Sequence, residues 1–500
     1  MWAYARGIQV DDLERDALEV LRLVRSIKNS FAPINRIPPE VLSLIPDYCG
    51  GGNADEDLIA LTHVCRDWRD IFISRPSLWT ELDFRNMDKA RTYLQRSRSS
   101  PLDLYLDSCE VTDDEFALVT PHTHRLKYFT LNTNTLPRVL TRLRCQAPLL
   151  EELNIDIGHE NMEALDDALF NGDFSSLRKL RLCGIVVPFA WKNLENLRFL
   201  ALETITQTYG TAQILDFLEP IPLLESIRLR FLMLDLRDLP PKRIVPLRHL
   251  KGFSIGTRRG HSGFLHHLQI PPGAKLVSDF CFDGDESPLP GYLPQSSPVL
   301  SNLSDATTIN LRFTGNRKSI RLSGPSGSLR VHVYWKDSPF YARDHQILRS
   351  LSYPMLSTIE RLIFSDYKYP TPGRMEECPI FHTFSSASNL RTLTLINGNK
   401  QPFILALDPE KKPYNPTVCP NMEDLIIYSA KWPLSDLKLL AQMAKNRALR
   451  GAKLSSITIV DLGRNKQRRE MVRLRRHAMR VEYRMENEEP NWDYVPGQDE

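Results

Sequence analysis

The sequence predicts an α/β chain, with a small helical domain at the N-terminus followed by a curved solenoid built from one strand and one helix per repeat. Three observations carry this expectation. The chain has 500 residues, more than the roughly 250 to 300 that one hydrophobic core organises, so several domains or an elongated repeat are expected. A six-residue theme, apolar-x-x-apolar-x-apolar, recurs along most of its length. Two short amphipathic patterns, one opened by paired prolines and the other centred on Trp68, precede the first instance of the theme.

The theme reads LKYFTL from Leu126, LEELNI from Leu150, LRKLRL from Leu177, LRFLAL from Leu197, LESIRL from Leu224 and LKGFSI from Leu250, with starts 20 to 27 residues apart. It weakens at VSDFCF from Val277 and ATTINL from Ala306. It then returns as IERLIF from Ile359, LRTLTL from Leu390, MEDLII from Met422 and LSSITI from Leu454. An apolar-x-apolar pair sends two side chains to one face of a strand, so each instance is a short buried strand. The segments EALDDALFNGDF and TAQILDFLEPIPL carry apolar residues at steps of three and four, as an outer amphipathic helix requires. One strand plus one helix in 20 to 29 residues resembles the leucine-rich repeat. Pro-rich stretches from Asp283, Asp366 and Asn399 read as loops between repeats, because clustered proline opposes both helix and ladder hydrogen bonding.

Composition excludes several function classes. The chain is 42% hydrophobic and 25% charged with a net charge of +3, which gives no global attraction to nucleic acid or acidic lipid. Neither is expected as a partner. No signal-peptide core and no membrane-length apolar run occurs, so a cytoplasmic or nuclear protein is expected. Eight cysteines lie far apart without CxxC spacing and read as reduced. No nucleophile elbow, phosphate-binding loop or zincin motif is present. Catalytic residues, metal ligands and cofactors are therefore all expected to be none.

In the opening region Pro38 and Pro39 can start a helix, with Val41, Leu42 and Ile45 on one face. A second helix follows an acidic entry, with Leu58, Leu61, Cys65, Trp68 and Phe72 at helical steps, closed by Pro76 and followed by Ser77-Leu78-Trp79. A unit of about 50 residues is marginal alone, so something else must cover its excess apolar face. The runs INRIPPEVLSLIP, LTHVCRDWRDI and SLW resemble an F-box domain of the basidiomycete type, in which SLWTELDF leads into RTYLQRSRSSPLDLYL. The resemblance implies a substrate receptor of a cullin-RING (SCF-type) ubiquitin ligase. Its F-box docks on a Skp adaptor, and through it a cullin, while the repeats hold a target protein. The adaptor-facing positions it implies are Ile37, Pro38, Val41, Leu42 and Ile45, with Val64, Cys65 and Trp68 supporting or joining that face. A core role for the same residues, and a repeat scaffold that engages no adaptor, are the alternatives. One departure is Pro46, where the family commonly carries a large apolar residue. Proline inside a helix costs about 3 kcal/mol, so the first helix is expected to end early.

The expected division is an amphipathic helix within 1–30 that packs locally, the F-box-like domain at 31–84, repeats over 85–460 and a charged tail at 461–500. Strand residues between the apolar positions face outward, which makes Tyr128, Glu152, Asn154, Lys179, Arg181, Phe199 and Arg228 candidates for target binding. The basic members suggest an acidic or phosphorylated target. In the tail, residues 464–484 hold nine basic side chains against two acidic ones, and residues 485–500 hold six acidic ones. A solvated tail helix along Met471, Leu474, Ala478 and Val481 and a basic patch for nucleic acid or an import receptor both fit this pattern.

Overall fold

The computed structural model describes residues 2–48, 54–107, 113–133, 143–158, 164–187, 191, 193–205, 207–235, 243–257, 262–282, 305–314, 317–335, 347–348, 356–368, 379–411, 417–429, 433–461, 474–478 and 480–485. The chain divides into two compact units, Met1–Arg178 with Ala190–Asn193, and Lys179–Phe189 with Leu194–Glu500.

The first unit opens with helices α1 (Trp2–Ser30), α2 (Pro39–Leu42), α3 (Ile45–Tyr48), α4 (Ala54–Thr62) and α5 (Arg66–Ile73). Strand β1 (Glu81–Asp83), helix α6 (Met87–Arg96), strand β2 (Leu102–Asp107), helix α7 (Asp113–Val119) and strands β3 (Leu126–Asn132) and β4 (Glu152–Asp156) follow. The four strands pair in parallel and in chain order. Their register stacks Leu82, Leu104, Phe129 and Leu153 in one buried column. Trp79 ties the helices to this ladder. It is fully buried, donates from Nε1 to the Phe72 carbonyl at 2.9 Å, meets the Tyr93 ring edge-on at 4.9 Å and lies under the Arg96 guanidinium.

The second unit continues the same logic with β5 (Lys179–Cys183), β6 (Phe199–Glu203), β7 (Thr208–Gly210), α8 (Thr211–Leu218), β8 (Ser226–Asp235), β9 (Val245–Pro246), β10 (Gly252–Thr257), α9 (Ser262–Leu265), β11 (Leu268–Gln269) and β12 (Lys275–Phe282). Strands β5, β6, β8, β10 and β12 form a parallel ladder. Next come β13 (Thr308–Thr314), β14 (Arg317–Gly324) and β15 (Gly327–Trp335), an antiparallel meander. Last are β16 (Arg361–Ser365), α10 (Pro379–Ser386), β17 (Thr392–Ile396), α11 (Gln401–Leu407), β18 (Asp424–Ser429), α12 (Leu434–Leu449), β19 (Ser456–Asp461) and β20 (Arg480–Met485), whose strands pair in parallel.

Several strands leave the ladder in the same way. The residue after the strand adopts positive φ and donates its N–H to the neighbouring strand. Gly184 reaches the Glu203 carbonyl, Thr204 that of Arg230, Asp366 that of Ile396 and Asn397 that of Tyr428, at 2.8 to 3.0 Å. The turn therefore closes each rung without an unpaired donor.

Among the described residues the structure departs from the sequence expectations in four places. EALDDALFNGDF is not an α-helix; it ends in a 3-10 turn at Leu169–Gly172, with Phe170 and Asn171 at positive φ. Of the weak stretch, VSDFCF lies in the parallel strand β12 and ATTINL runs into β13, the first strand of the meander, in which β15 pairs with β12 and β13 with β16. The Pro-rich stretch from Asn399 contains α11, because Pro402 falls in the first turn, where its missing N–H has no helical acceptor to lose. Within the tail, β20 pairs with β19, and Leu474, Ala478 and Val481 are buried. Met471, the stretch from Asp283 to residue 304 and residues 486–500 lie outside the described residues.

Candidate functional site

The opening helices pack around Leu42, Trp68 and Phe72, with Ile37, Ile45, Leu61, Cys65, Ile71 and Leu78 partly buried against them. Trp68 meets Phe72 edge-to-face at 5.7 Å, and its Nε1 donates to Asn35 Oδ1 at 2.7 Å. Arg75 donates to the Ser43 carbonyl at the end of α2. The segment expected as one helix around Trp68 is two, because residues 63–65 leave helical geometry and Cys65, at φ −159, opens α5. Helix α2 does end early, at Leu42. Pro46 lies in the first turn of the separate α3, where a proline is tolerated.

This geometry sorts the implied adaptor-facing residues into three groups. Leu42 (3% exposed) and Trp68 (6%) turn into the chain's own core. Ile37, Ile45 and Cys65 are half-buried at the rim of that core. Pro38, Val41 (51%) and Val64 (55%) are exposed, and they are joined by two residues the sequence reading did not single out, Ile34 (45%) and Leu44 (44%). Residues 34–85 match the F-box-like family. The F-box-like segment thus covers α2 to β1 and points to a role in protein interactions. No curated protein matches the chain. Among the described residues no helix is long and apolar enough to cross a membrane.

The seven candidate target residues fall into two clusters, one in each unit. In the first unit Tyr128 and Glu152 are direct cross-strand partners, and Asn154 sits opposite Thr130. Asp103, opposite Tyr128, belongs with them. Burial, with Glu81 alongside, pushes its carboxyl up to about 6. In the second unit Lys179 pairs with Phe199, while Arg181 and Arg228 occupy one row across Ala201. Glu203, which is not among the sequence candidates, accepts from Arg181 at 3.1 Å and lies 3.6 Å from Arg228. The Arg228 guanidinium also lies over the Phe199 ring. One carboxylate between two guanidinium groups leaves this cluster net positive.

The Asp103 shift carries a sign. Because its folded-state value lies above its ordinary one, the folded unit binds the proton more tightly, and stability is lost as pH rises from about 4 through about 6. Asp103→Asn, which imitates the protonated group, is expected to gain about 1 kcal/mol at pH 7.5, after discounting for a half-exposed position, and nothing at pH 4. Urea unfolding at both pH values checks this; an equal effect at the two would overturn it.

Proposed function

We propose that this chain is the substrate-recognition subunit of an SCF-type ubiquitin ligase. Its F-box-like segment docks on a Skp adaptor, which carries the cullin, and its strand ladder holds a target protein. The observation that carries the reading is the F-box-like match over residues 34–85, on a domain whose Pro38, Val41, Leu44 and Val64 face outward. The successive parallel strands support a leucine-rich-repeat-like solenoid as the target platform. In this reading the chain performs no catalysis; ubiquitin transfer belongs to other subunits, in the cytoplasm or nucleus. The Arg181, Arg228 and Lys179 cluster favours an acidic or phosphorylated target segment.

The test is co-expression with a Skp adaptor. Val41→Asp combined with Leu44→Asp places charge where the wild-type chain exposes apolar surface, and is expected to weaken adaptor capture at least tenfold, about 1.4 kcal/mol, with unchanged circular dichroism. Leu42→Asp is the contrasting variant. It buries a carboxylate beside Trp68 and Phe72, so it loses capture together with helical signal. Capture by the wild-type chain that survives Val41→Asp with Leu44→Asp would show another docking face. The scaffold reading rests on the helix break between Leu42 and Ile45, and gains if the wild-type chain fails to capture an adaptor.

A further inference from the structure

Helix α1 was expected to pack locally rather than form a coiled coil; its last turn does meet the domain, where Asn35 Nδ2 donates to the Asn29 carbonyl at 2.7 Å, but most of its apolar surface stays uncovered. Every described residue from Val10 to Ser30 is exposed. Val10, Leu13, Ala17, Val20, Val24 and Ile27 follow one another at alternating steps of three and four, which lines them along a single seam of the helix. The five large residues of this seam are each more than half exposed. The opposite side of α1 looks onto the start of α5: Glu19, Arg22, Leu23, Arg25, Ser26 and Asn29 line a cleft of about 310 Å³ together with Cys65, Arg66 and Asp67. The side of α1 that faces its own domain is thus polar apart from Leu23, and the apolar seam faces away from it.

Charge along α1 indicates what covers that seam. Residues 11–19 carry Asp11, Asp12, Glu14, Asp16 and Glu19 against Arg15, whereas residues 22–28 carry Arg22, Arg25 and Lys28 and no acid. The helix dipole does not account for this division, because its influence fades within the terminal turns and residues 11–19 lie well inside a helix that starts at Trp2. A second, antiparallel α1 satisfies both features. It sets Val10 against Ile27, Leu13 against Val24 and Ala17 against Val20 of the other copy. The acidic half of each helix then lies along the basic half of the other. A parallel pair would bring like charges together. The seam spans about 27 Å at 1.5 Å per residue, enough for a short two-helix coil.

We propose that α1 is a self-association element, through which two copies of this chain join as an antiparallel, two-fold helix pair. Such a pair is isologous: each residue contact occurs twice. It positions two F-box-like segments in one assembly, independently of whether either engages an adaptor.

Sedimentation equilibrium of the full chain from about 1 to about 200 μM tests this, since a short coil is expected to have a micromolar dissociation constant. The wild-type chain should pass from monomer to dimer across that range. Val20→Asp with Val24→Asp should weaken the dimer at least tenfold without changing the thermal unfolding of the remaining fold. Asp12→Lys with Asp16→Lys should weaken it, as should Arg25→Glu with Lys28→Glu. All four in one chain should restore it, because opposite halves again face each other. A wild-type chain that stays monomeric at every concentration overturns the proposal. So does a dimer indifferent to the Val20 and Val24 changes. A dimer lost with the seam changes but indifferent to the charge changes overturns the antiparallel arrangement.

Discussion

Replacing Arg447 by alanine is expected to cost the second unit about 4 kcal/mol, one of the two largest effects in the chain. Arg447 is fully buried on α12 and donates to the carbonyls of Val418 and Cys419, both at 2.8 Å, just ahead of β18. Burial holds its guanidinium below the usual arginine range, and pushes the Cys419 thiol beside it up to about 12. Alanine removes a donor from both carbonyls, of which that of Cys419 keeps only the Met422 N–H, and empties the volume of a long side chain. Arg447→Met separates the two contributions, since methionine refills the space and makes neither hydrogen bond. Methionine is expected to recover less than half of the loss. Urea unfolding, with hydrogen exchange read in β18 and β19, measures both; full recovery by methionine would show that packing alone holds the segment.

An effect of similar size is expected at Gly398, which follows β17 at φ +66. A Cβ there would lie 2.3 Å from the Tyr367 carbonyl oxygen and 2.7 Å from the Tyr367 nitrogen, both backbone atoms that no side-chain rotation can move aside. Tyr367 in turn packs its ring against Phe313, Phe364 and Phe403. Gly398→Ala must therefore displace the backbone that holds an aromatic cluster, at a cost of about 4 kcal/mol or more. Gly451 is the control. Its φ is +78 with nothing within 4 Å, so alanine costs only the left-handed strain, about 1 kcal/mol. Thermal unfolding of the two variants distinguishes a close approach from strain alone; equal shifts would refute the steric account.

The strands were legible because burial of one face leaves a period-two signature, and the six-residue theme coincides with β3 to β6, β8, β10 and β16 to β19. What connects them was less legible. Between β4 and β5 the three- and four-residue spacing of Leu165, Ala168 and Leu169 imitates a helix, yet the chain turns through Phe170 and Asn171 at positive φ. The Gly324-Pro325-Ser326-Gly327 turn was readable as a turn, but nothing local states that β15 pairs with β12 instead of β16. In the F-box-like segment, residue types identified the domain, whereas the choice between Val41 and Leu42 for the core was not legible. A helix of one turn has no periodicity to read, and its orientation is set by Trp68 and Phe72, which lie far along the chain.

The meander has three strands, and that number is odd. A parallel ladder interrupted by two antiparallel strands would resume with its direction reversed, and every later helix would then connect across the wrong ends. Three strands return the chain to its original direction, so β16 runs parallel to β13 as β12 runs parallel to β15. Side-chain parity survives as well. One unbroken apolar row passes through Leu180, Leu200, Ile227, Phe253 and Leu276, crosses the meander at Leu329, Leu322 and Ile309, and continues through Leu362, Leu393, Leu425, Ile457 and Val481. An antiparallel meander whose outer strands pair in parallel with the ladder, as here, is thus restricted to an odd number of strands, because an even number leaves the downstream strands running the opposite way.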